Sequence, residues 1–305
     1  MFPIGELKDK TLAEELSLHL KKKGVENSLL LNPHGEIYVL FVTKESDVPT
    51  AIKEYKKAVG IPVPVEIDPN WDKIRVIPMG TLTWLFIIIS IFVFIISLLP
   101  NGMENLSPLF FASNNKEFIK EIRHGEVWRL ITPVFLHFGF LHILFNLLWL
   151  KDLGKVLENK SGPIFYGVFF IITALLSNFA QYLTFGPTFG GMSGVVYGFL
   201  GQLWMNSTFN SKSDISLPKH DVNMMIIWFF LCMFGFIGNI ANMAHGVGLS
   251  VGMLFGIWSG IRSSKDKLNL KKLFVYLSLA LIFTGLTLVV EYWKFGKKLY
   301  LFSFF

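Results

Sequence analysis

The sequence predicts an all-α polytopic membrane protein that begins with a small α+β module, and three observations predict it. The 305 residues are 52% hydrophobic and only 16% charged, against roughly 25% charged in an average soluble domain. Nearly half of the charged residues stand before position 76. Beyond that point, Asp, Glu, Lys and Arg are absent from 76–103, 130–150, 161–211, 222–261 and 273–290, stretches of 28, 21, 51, 40 and 18 residues. A helix crosses a hydrocarbon core of ~30 Å with about 20 apolar residues. The five stretches therefore hold one, one, two, two and one spans.

The N-terminal module comes first. Residues 11–23 read as an amphipathic helix, with Leu12, Leu16, Leu18 and Leu20 among charges, followed by short apolar runs at 28–31 and 37–43. Asn32, Pro33, His34 and Gly35 make the turn between them, and a second helix is expected over about 48–59. The order helix, strand, strand, helix fits a compact α+β unit, here given residues 1–61 and a cytoplasmic place. The first 25 residues are too polar for a cleavable signal peptide. Pro62, Pro64, Pro69 and Pro78 predict a stiff, extended linker over 62–78.

Seven spans are expected next, at 81–99, 140–153, 164–182, 193–205, 224–236, 244–261 and 273–292. The runs are continuously apolar, which selects helices over the alternating strands of a membrane barrel. The second and fourth look short, as if ending beneath water-accessible loops. Lys and Arg set the orientation. With the N-terminus inside, the inner loops hold Lys151, Lys155 and Lys160, then Lys212 and Lys219, then Arg262, Lys265, Lys267, Lys271 and Lys272. The outer loops 183–192 and 237–243 hold none, whereas Lys116, Lys120, Arg123 and Arg129 in the first outer loop and Lys294, Lys297 and Lys298 after the last span run against the rule. A net charge of +6 spread over loops reads as contact with membrane lipid, not with nucleic acid. Cys232 stands alone in a span, so neither a disulfide framework nor a thiolate metal cluster is expected.

The chemistry has to lie in the spans, where polar groups need a reason. No Asp lies in an uncharged stretch, which removes a membrane aspartyl protease. No His is followed by Glu, which removes a His-Glu-x-x-His zinc site. Ser, His, Asn and Gly remain. Ser193, in Gly190-Gly191-Met192-Ser193-Gly194, opens an apolar helix and reads either as a simple cap or as a nucleophile beside the positive amides of a helix start. His245 stands three residues before Gly248 on a helix where Gly248, Gly252, Gly256 and Gly260 recur every fourth residue. Such a groove lets another backbone approach closely. Gly194 and Gly198 supply a matching stripe on the fourth span, with Ser193 and Tyr197 one position before each. If the two stripes meet, Ser193 and His245 come within hydrogen-bond reach, the geometry of a serine and its general base. Tyr197 then packs on the imidazole or is an ordinary aromatic of the seam. His142 and Asn146, four apart on one helix face, suit a developing oxyanion or a polar contact that holds the bundle. His137, before that span, reads as a structural loop residue.

These residues carry a resemblance. Glu126-Val127-Trp128-Arg129, His142-Ile143-Leu144-Phe145-Asn146, Gly191-Met192-Ser193-Gly194 with Tyr197, and Asn242-Met243-Ala244-His245-Gly246-Val247-Gly248 with Gly252 together resemble the ordered signature of the rhomboid intramembrane serine proteases, in their bacterial GlpG-type branch. The resemblance implies a rhomboid-type six-helix bundle over 79–261, with 262–305 adding an inner loop, one extra C-terminal transmembrane helix and a tail. It implies Ser193 as nucleophile and His245 as general base, with His142, Asn146 and the Ser193 N–H stabilising the oxyanion. Tyr197, Gly191, Gly194 and Gly248 support them, and no metal or cofactor is needed. Trp128 and Arg129 belong to a structural first outer loop, and Trp228, Phe229 and Phe230 to a mobile lateral gate. The implied substrates are single-pass transmembrane proteins, cut near the outer face of a bacterial inner membrane beside a small residue. Two other readings are an inactive rhomboid-like binder of membrane proteins and a transporter or lipid-binding bundle whose polar residues line a pore.

Overall fold

The computed structural model describes residues 1–33, 35–63, 68–113, 119–236, 240–265 and 267–295. The turn residue His34, Pro64 of the linker, Lys116, loop positions 237–239 and the basic residues Lys297 and Lys298 lie outside the described residues. The chain divides into two compact units, Met1–Ile67 and Asp68–Phe305.

The first unit is a three-stranded antiparallel sheet with two helices: β1 (Phe2–Leu7), α1 (Lys10–Lys22), β2 (Asn27–Leu31), β3 (Tyr38–Val42) and α2 (Val48–Ala58), in the strand order β1-β3-β2. The Asp9 side chain caps α1, accepting from the Thr11 and Leu12 amides at 2.8 and 3.2 Å. Leu16 and Leu20 of α1, Leu40 and Val42 of β3 and Ala51 of α2 close the core. The sequence reading missed β1. Pro3 and Gly5 break its pattern, and the pairing with β3 shifts register between them, a bulge at a sheet edge.

The second unit opens with a correction. Where an extended linker was expected, Pro69–Arg75 forms a helix, α3, capped by Asp68 with Pro69 in its first turn. Its Ile74 is buried in the main core. Prolines open helices as readily as they stiffen linkers, and the capping aspartate was the signal that decides.

Nine helices follow among the described residues: α4 (Thr81–Ser97), the single turns α5 (Gly102–Asn105) and α6 (Lys120–Arg123), α7 (Phe140–Ser161), α8 (Pro163–Phe185), α9 (Ser193–Phe209), α10 (Lys219–Met233), α11 (Asn242–Ser263) and α12 (Leu270–Phe295). Three of them, over Pro163–Phe185, Asn242–Ser263 and Leu270–Lys294, are long and apolar enough to cross a membrane, and Thr81–Ser97 is a shorter apolar helix. The two helices expected to be short run further than expected, by eight and four residues, although neither is among those long and apolar enough to cross a membrane. Charges end the apolar run of α7 at Lys151, yet Lys and Glu are good helix formers and the helix continues to the Gly162-Pro163 break. α9 continues to Phe209, and in its last turn the Ser207 and Thr208 hydroxyls bond back to the Leu203 and Trp204 carbonyls.

Between α4 and α7, a loop of short turns is pinned by Arg129, which is buried. Its Nε donates to Glu126 at 2.6 Å and its Nη1 to the carbonyls of Ser107 and Phe110 at 2.8 Å each. The Trp128 indole donates to the Pro108 carbonyl at 3.1 Å. Asn178 of α8 ties the same loop down through the Leu130 and Ile131 carbonyls. A buried carboxylate at the far end of α7 fixes α4: Glu158 accepts from the Leu82 and Thr83 amides at 2.9 Å each and from the Thr83 hydroxyl at 2.7 Å.

Candidate active site

The site is built on the close approach of two helix starts. α9 and α11 run against each other through glycine. A Cβ on Gly248 would stand 2.0 Å from the Gly194 carbonyl oxygen, and one on Gly252 would stand 2.0 Å from that of Gly198. Backbone meets backbone there, so no side chain can give way, and only hydrogen fits. One turn towards the helix starts, this contact brings the His245 Nε2 to 2.7 Å from the Ser193 Oγ.

Each member of the pair is held differently. Ser193 is half-buried at the first position of α9. His245 is buried, and among the described residues its Nδ1 has no hydrogen-bond partner. With no carboxylate to orient it, the imidazole is positioned by packing. The Tyr197 ring lies 4.8 Å away, centroid to centroid, and the Tyr197 hydroxyl donates to the Met225 carbonyl of α10 at 3.1 Å. Phe229 stands edge-on to Tyr197 at 5.6 Å. Trp228, one position earlier, faces outward and touches Phe145 of α7 at 5.7 Å.

His142 meets the serine across Gly191. The Phe138 amide donates to its Nδ1 at 3.3 Å, which makes Nδ1 the acceptor and puts the proton of a neutral ring on Nε2. That N–H lies against Gly191, whose φ of +122° belongs to the left-handed region that favours glycine. A Cβ there would sit 2.6 Å from the His142 Nε2 and 3.7 Å from the Ser193 Oγ. Glycine thus leaves a small volume faced by both a nucleophilic oxygen and an N–H donor. The Gly191 amide itself is engaged, donating to the Pro133 carbonyl at 3.0 Å.

Asn146 is buried one turn further along α7. Its amide nitrogen donates to the His142 carbonyl at 2.8 Å, and among the described residues it makes no hydrogen bond to Ser193 or His245. His137 is buried with its ring edge on that of His142, at 5.1 Å, and its Nδ1 donates to the Phe135 carbonyl. Among the described residues no group of His, Cys, Asp and Glu could hold a metal ion.

Two positioning residues escaped the sequence reading. Gln181 of α8 is buried and accepts from the Ala244 amide at 3.1 Å, satisfying one of the orphan donors at the start of α11 next to His245. Asn242, in the same first turn, donates to the buried Glu291 of α12 at 2.8 Å. Gln181 reads in sequence as one more polar position in a helix, and Asn242 only as the first residue of the motif around His245, with no sign of its partner.

Known proteins resemble this chain over the same region. Residues 124–262 match the family model described as Rhomboid domain. Over 187 residues the chain is 34% identical to proteins named Rhomboid protease GlpG from Yersinia pestis (strain Pestoides F) and Yersinia pseudotuberculosis serotype O:3 (strain YPIII). It is 33% identical over the same length to one of that name from Yersinia enterocolitica serotype O:8. Each match covers 61% of this chain and 65% of the relative. The chain, an integral membrane protein, resembles the rhomboid family over residues 124–262, and it spans less than two thirds of the length of the relatives it matches.

Proposed function

We propose that the chain is an intramembrane serine endopeptidase that cuts single-pass transmembrane proteins through a Ser193–His245 dyad. The observation that carries this reading is the 2.7 Å contact between Oγ and Nε2 at the facing starts of two helices. Ser193 Oγ attacks the scissile carbonyl while His245 Nε2 takes its proton, then returns that proton to the amine that leaves. Water resolves the acyl-enzyme by the same route. The developing oxyanion enters the volume left by Gly191, where the His142 Nε2–H and the Ser193 N–H donate to it; the Asn146 amide joins by rotating off the His142 carbonyl. In soluble serine proteases one such donor is worth ~3 kcal/mol. No cofactor takes part.

The rest of the reading follows the charge distribution. Residues 1–61 form a cytoplasmic domain, 62–78 a connection, 79–261 a six-span protease core, and 262–305 add a seventh span and tail. The lysines of the inner loops support an inside N-terminus, which puts the starts of α9 and α11 near the outer face of a bacterial inner membrane, where water reaches. Substrates enter between α7 and α10, past Phe145 and Trp228, and are cut beside a small residue.

The test is cleavage of a single-span reporter with a helix-breaking, Ala-containing outer segment, in liposomes. Wild type is expected to cut, and Ser193→Ala and His245→Ala to fall to background. Equal cleavage by either variant would overturn the dyad. Failure of wild type to cut, together with failure of a fluorophosphonate to label Ser193, would overturn the protease reading in favour of a binder.

A further inference from the structure

A second polar site lies at the other ends of the same helices. A cavity of about 260 Å3 opens between the C-terminal turns of α7, α9 and α11 and the start of α8, the ends opposite Ser193 and His245. Its floor holds Gln202 and Asn206, which are 1% and 4% exposed. The hydrogen bonds around them settle which amide atom is which. Ser259 donates to the Gly256 carbonyl at 3.2 Å, so its oxygen accepts, and it does so from Asn206 Nδ2 at 2.8 Å and Gln202 Nε2 at 3.4 Å. The two carbonyl oxygens, Gln202 Oε1 and Asn206 Oδ1, are then buried acceptors with no partner among the described residues. An unpaired buried acceptor is destabilising until a donor arrives.

The mouth carries the opposite chemistry. Lys160 and Arg262 line it. Lys160 spends one donor on the Ser213 hydroxyl, leaving two. Arg262 is exposed and lies over the ring of Trp258, 5.6 Å from its centroid. Trp258 is itself 53% exposed, and an outward-facing tryptophan beside an arginine at a helix end belongs at the headgroup level of a bilayer. Asp214 acts on Lys160 from the α9–α10 connection, so the mouth is basic but not purely so.

Two cations at headgroup level, over two acceptors that lack donors, match one kind of ligand. We propose that this cavity binds the headgroup of a glycerophospholipid whose phosphate is followed by a hydrogen-bond donor, as in phosphatidylethanolamine. The phosphate meets Lys160 and Arg262. The primary ammonium reaches inward to Gln202 Oε1 and Asn206 Oδ1. Phosphatidylcholine has the same phosphate and the same formal charges but no N–H, so it fills only the outer half. The site is independent of the dyad chemistry and keeps its meaning if the chain cuts nothing.

Native mass spectrometry of the full chain released from detergent micelles tests this with two lipids of identical acyl chains. Phosphatidylethanolamine is expected to be retained about tenfold more than phosphatidylcholine. Gln202→Leu with Asn206→Leu should erase that preference, and Lys160→Met with Arg262→Met should lower retention of both lipids. Because the leucines fill the floor, Asn206→Asp serves as a second variant. It supplies a charged acceptor, and the preference should survive or grow. Equal retention of the two lipids by wild type would overturn the proposal. So would inorganic phosphate displacing phosphatidylethanolamine at millimolar concentration, which would make the cavity a site for a free anion.

Discussion

Each unit buries carboxylates, and the two units satisfy them by different means. In the first, Glu54 on α2 has an exposed mouth ringed by Lys23 at 2.9 Å, Lys57 at 3.1 Å and the His19 ring at 3.2 Å. In the second, Glu158 is 5% exposed and takes three neutral donors at the start of α4. Glu291, 4% exposed, takes the Asn242 amide at the start of α11; Lys294, one turn on, gives its ammonium to the Met233 carbonyl instead. The difference follows from solvent. Where water screens, a lysine is held near a carboxylate at little expense. Inside an apolar bundle two charges must both be stripped of water, whereas helix-start amides are already there, unpaired and positively polarised. Glu158 thus takes the backbone amides of a helix start, and Glu291 a neutral side-chain amide at another. Each such start fixes something: α4 on α7 through Glu158, and the His245 helix on α12 through Glu291.

Glu158→Gln is the hardest test of that account. An amide keeps one acceptor oxygen but turns an N–H towards a donor, so at least one of the Leu82 and Thr83 groups is left unpaired. The loss should be ~3 kcal/mol, from charge-assisted bonds broken and a buried donor stranded. Reversible unfolding in mixed micelles measures it, and a loss below ~1 kcal/mol would mean that water, not the helix start, satisfies the carboxylate. Thr83→Val should be strongly non-additive with it, because the two residues share the same bonds.

A smaller effect is expected at Glu291, and here the readout is catalytic. Glu291→Leu removes the acceptor for Asn242, three residues before His245, and should lower kcat for reporter cleavage by ~10-fold, equivalent to ~1.4 kcal/mol. Glu291→Gln keeps the accepting oxygen and should restore most of the rate. A merely structural role for α12 would move the unfolding midpoint in both variants and leave kcat unchanged.

These carboxylates also mark where sequence reasoning runs out. The Ser193 and His245 pairing is legible because glycines every fourth residue on two spans specify which faces meet, and the position of each polar residue on its face follows from helix geometry. Glu158 offers no such pattern. It lies beyond the last apolar residue of its span, among charges that read as a loop, and its partners stand 75 and 76 positions earlier. Gln181 is hidden in the same way, since capping the start of a distant helix leaves no periodic trace. β1 is hidden for the opposite reason, because its own bulge and proline erase the alternation that identifies a strand. Local spacing reveals contacts between regular faces; bonds from a side chain to a distant helix end come only with the fold.

The smallest expected effect is at Glu54, and it has a definite sign. Hydrogen bonding from Lys23, with further bonds from Lys57 and His19, outweighs burial and holds the carboxyl down at about 2, from an ordinary value of 4.5. A depressed value in the folded state means that the carboxylate stabilises fully above about 4.5 and that this contribution is lost as pH falls through about 2. Its partners Lys23, Lys57 and His19 are 43%, 52% and 50% exposed, however. Screening therefore limits the contribution to ~1 kcal/mol or less. Hydrogen exchange of the β1, β2 and β3 amides in the full chain, corrected for intrinsic rates, should show protection falling from pH 4.5 to 2 more steeply in wild type than in Glu54→Gln. High salt should shrink that difference, while leaving the effect of Glu158→Gln unchanged because neutral donors are not screened. Equal salt sensitivity at the two sites would show that both units hold their carboxylates by charge, and the contrast between them would fail.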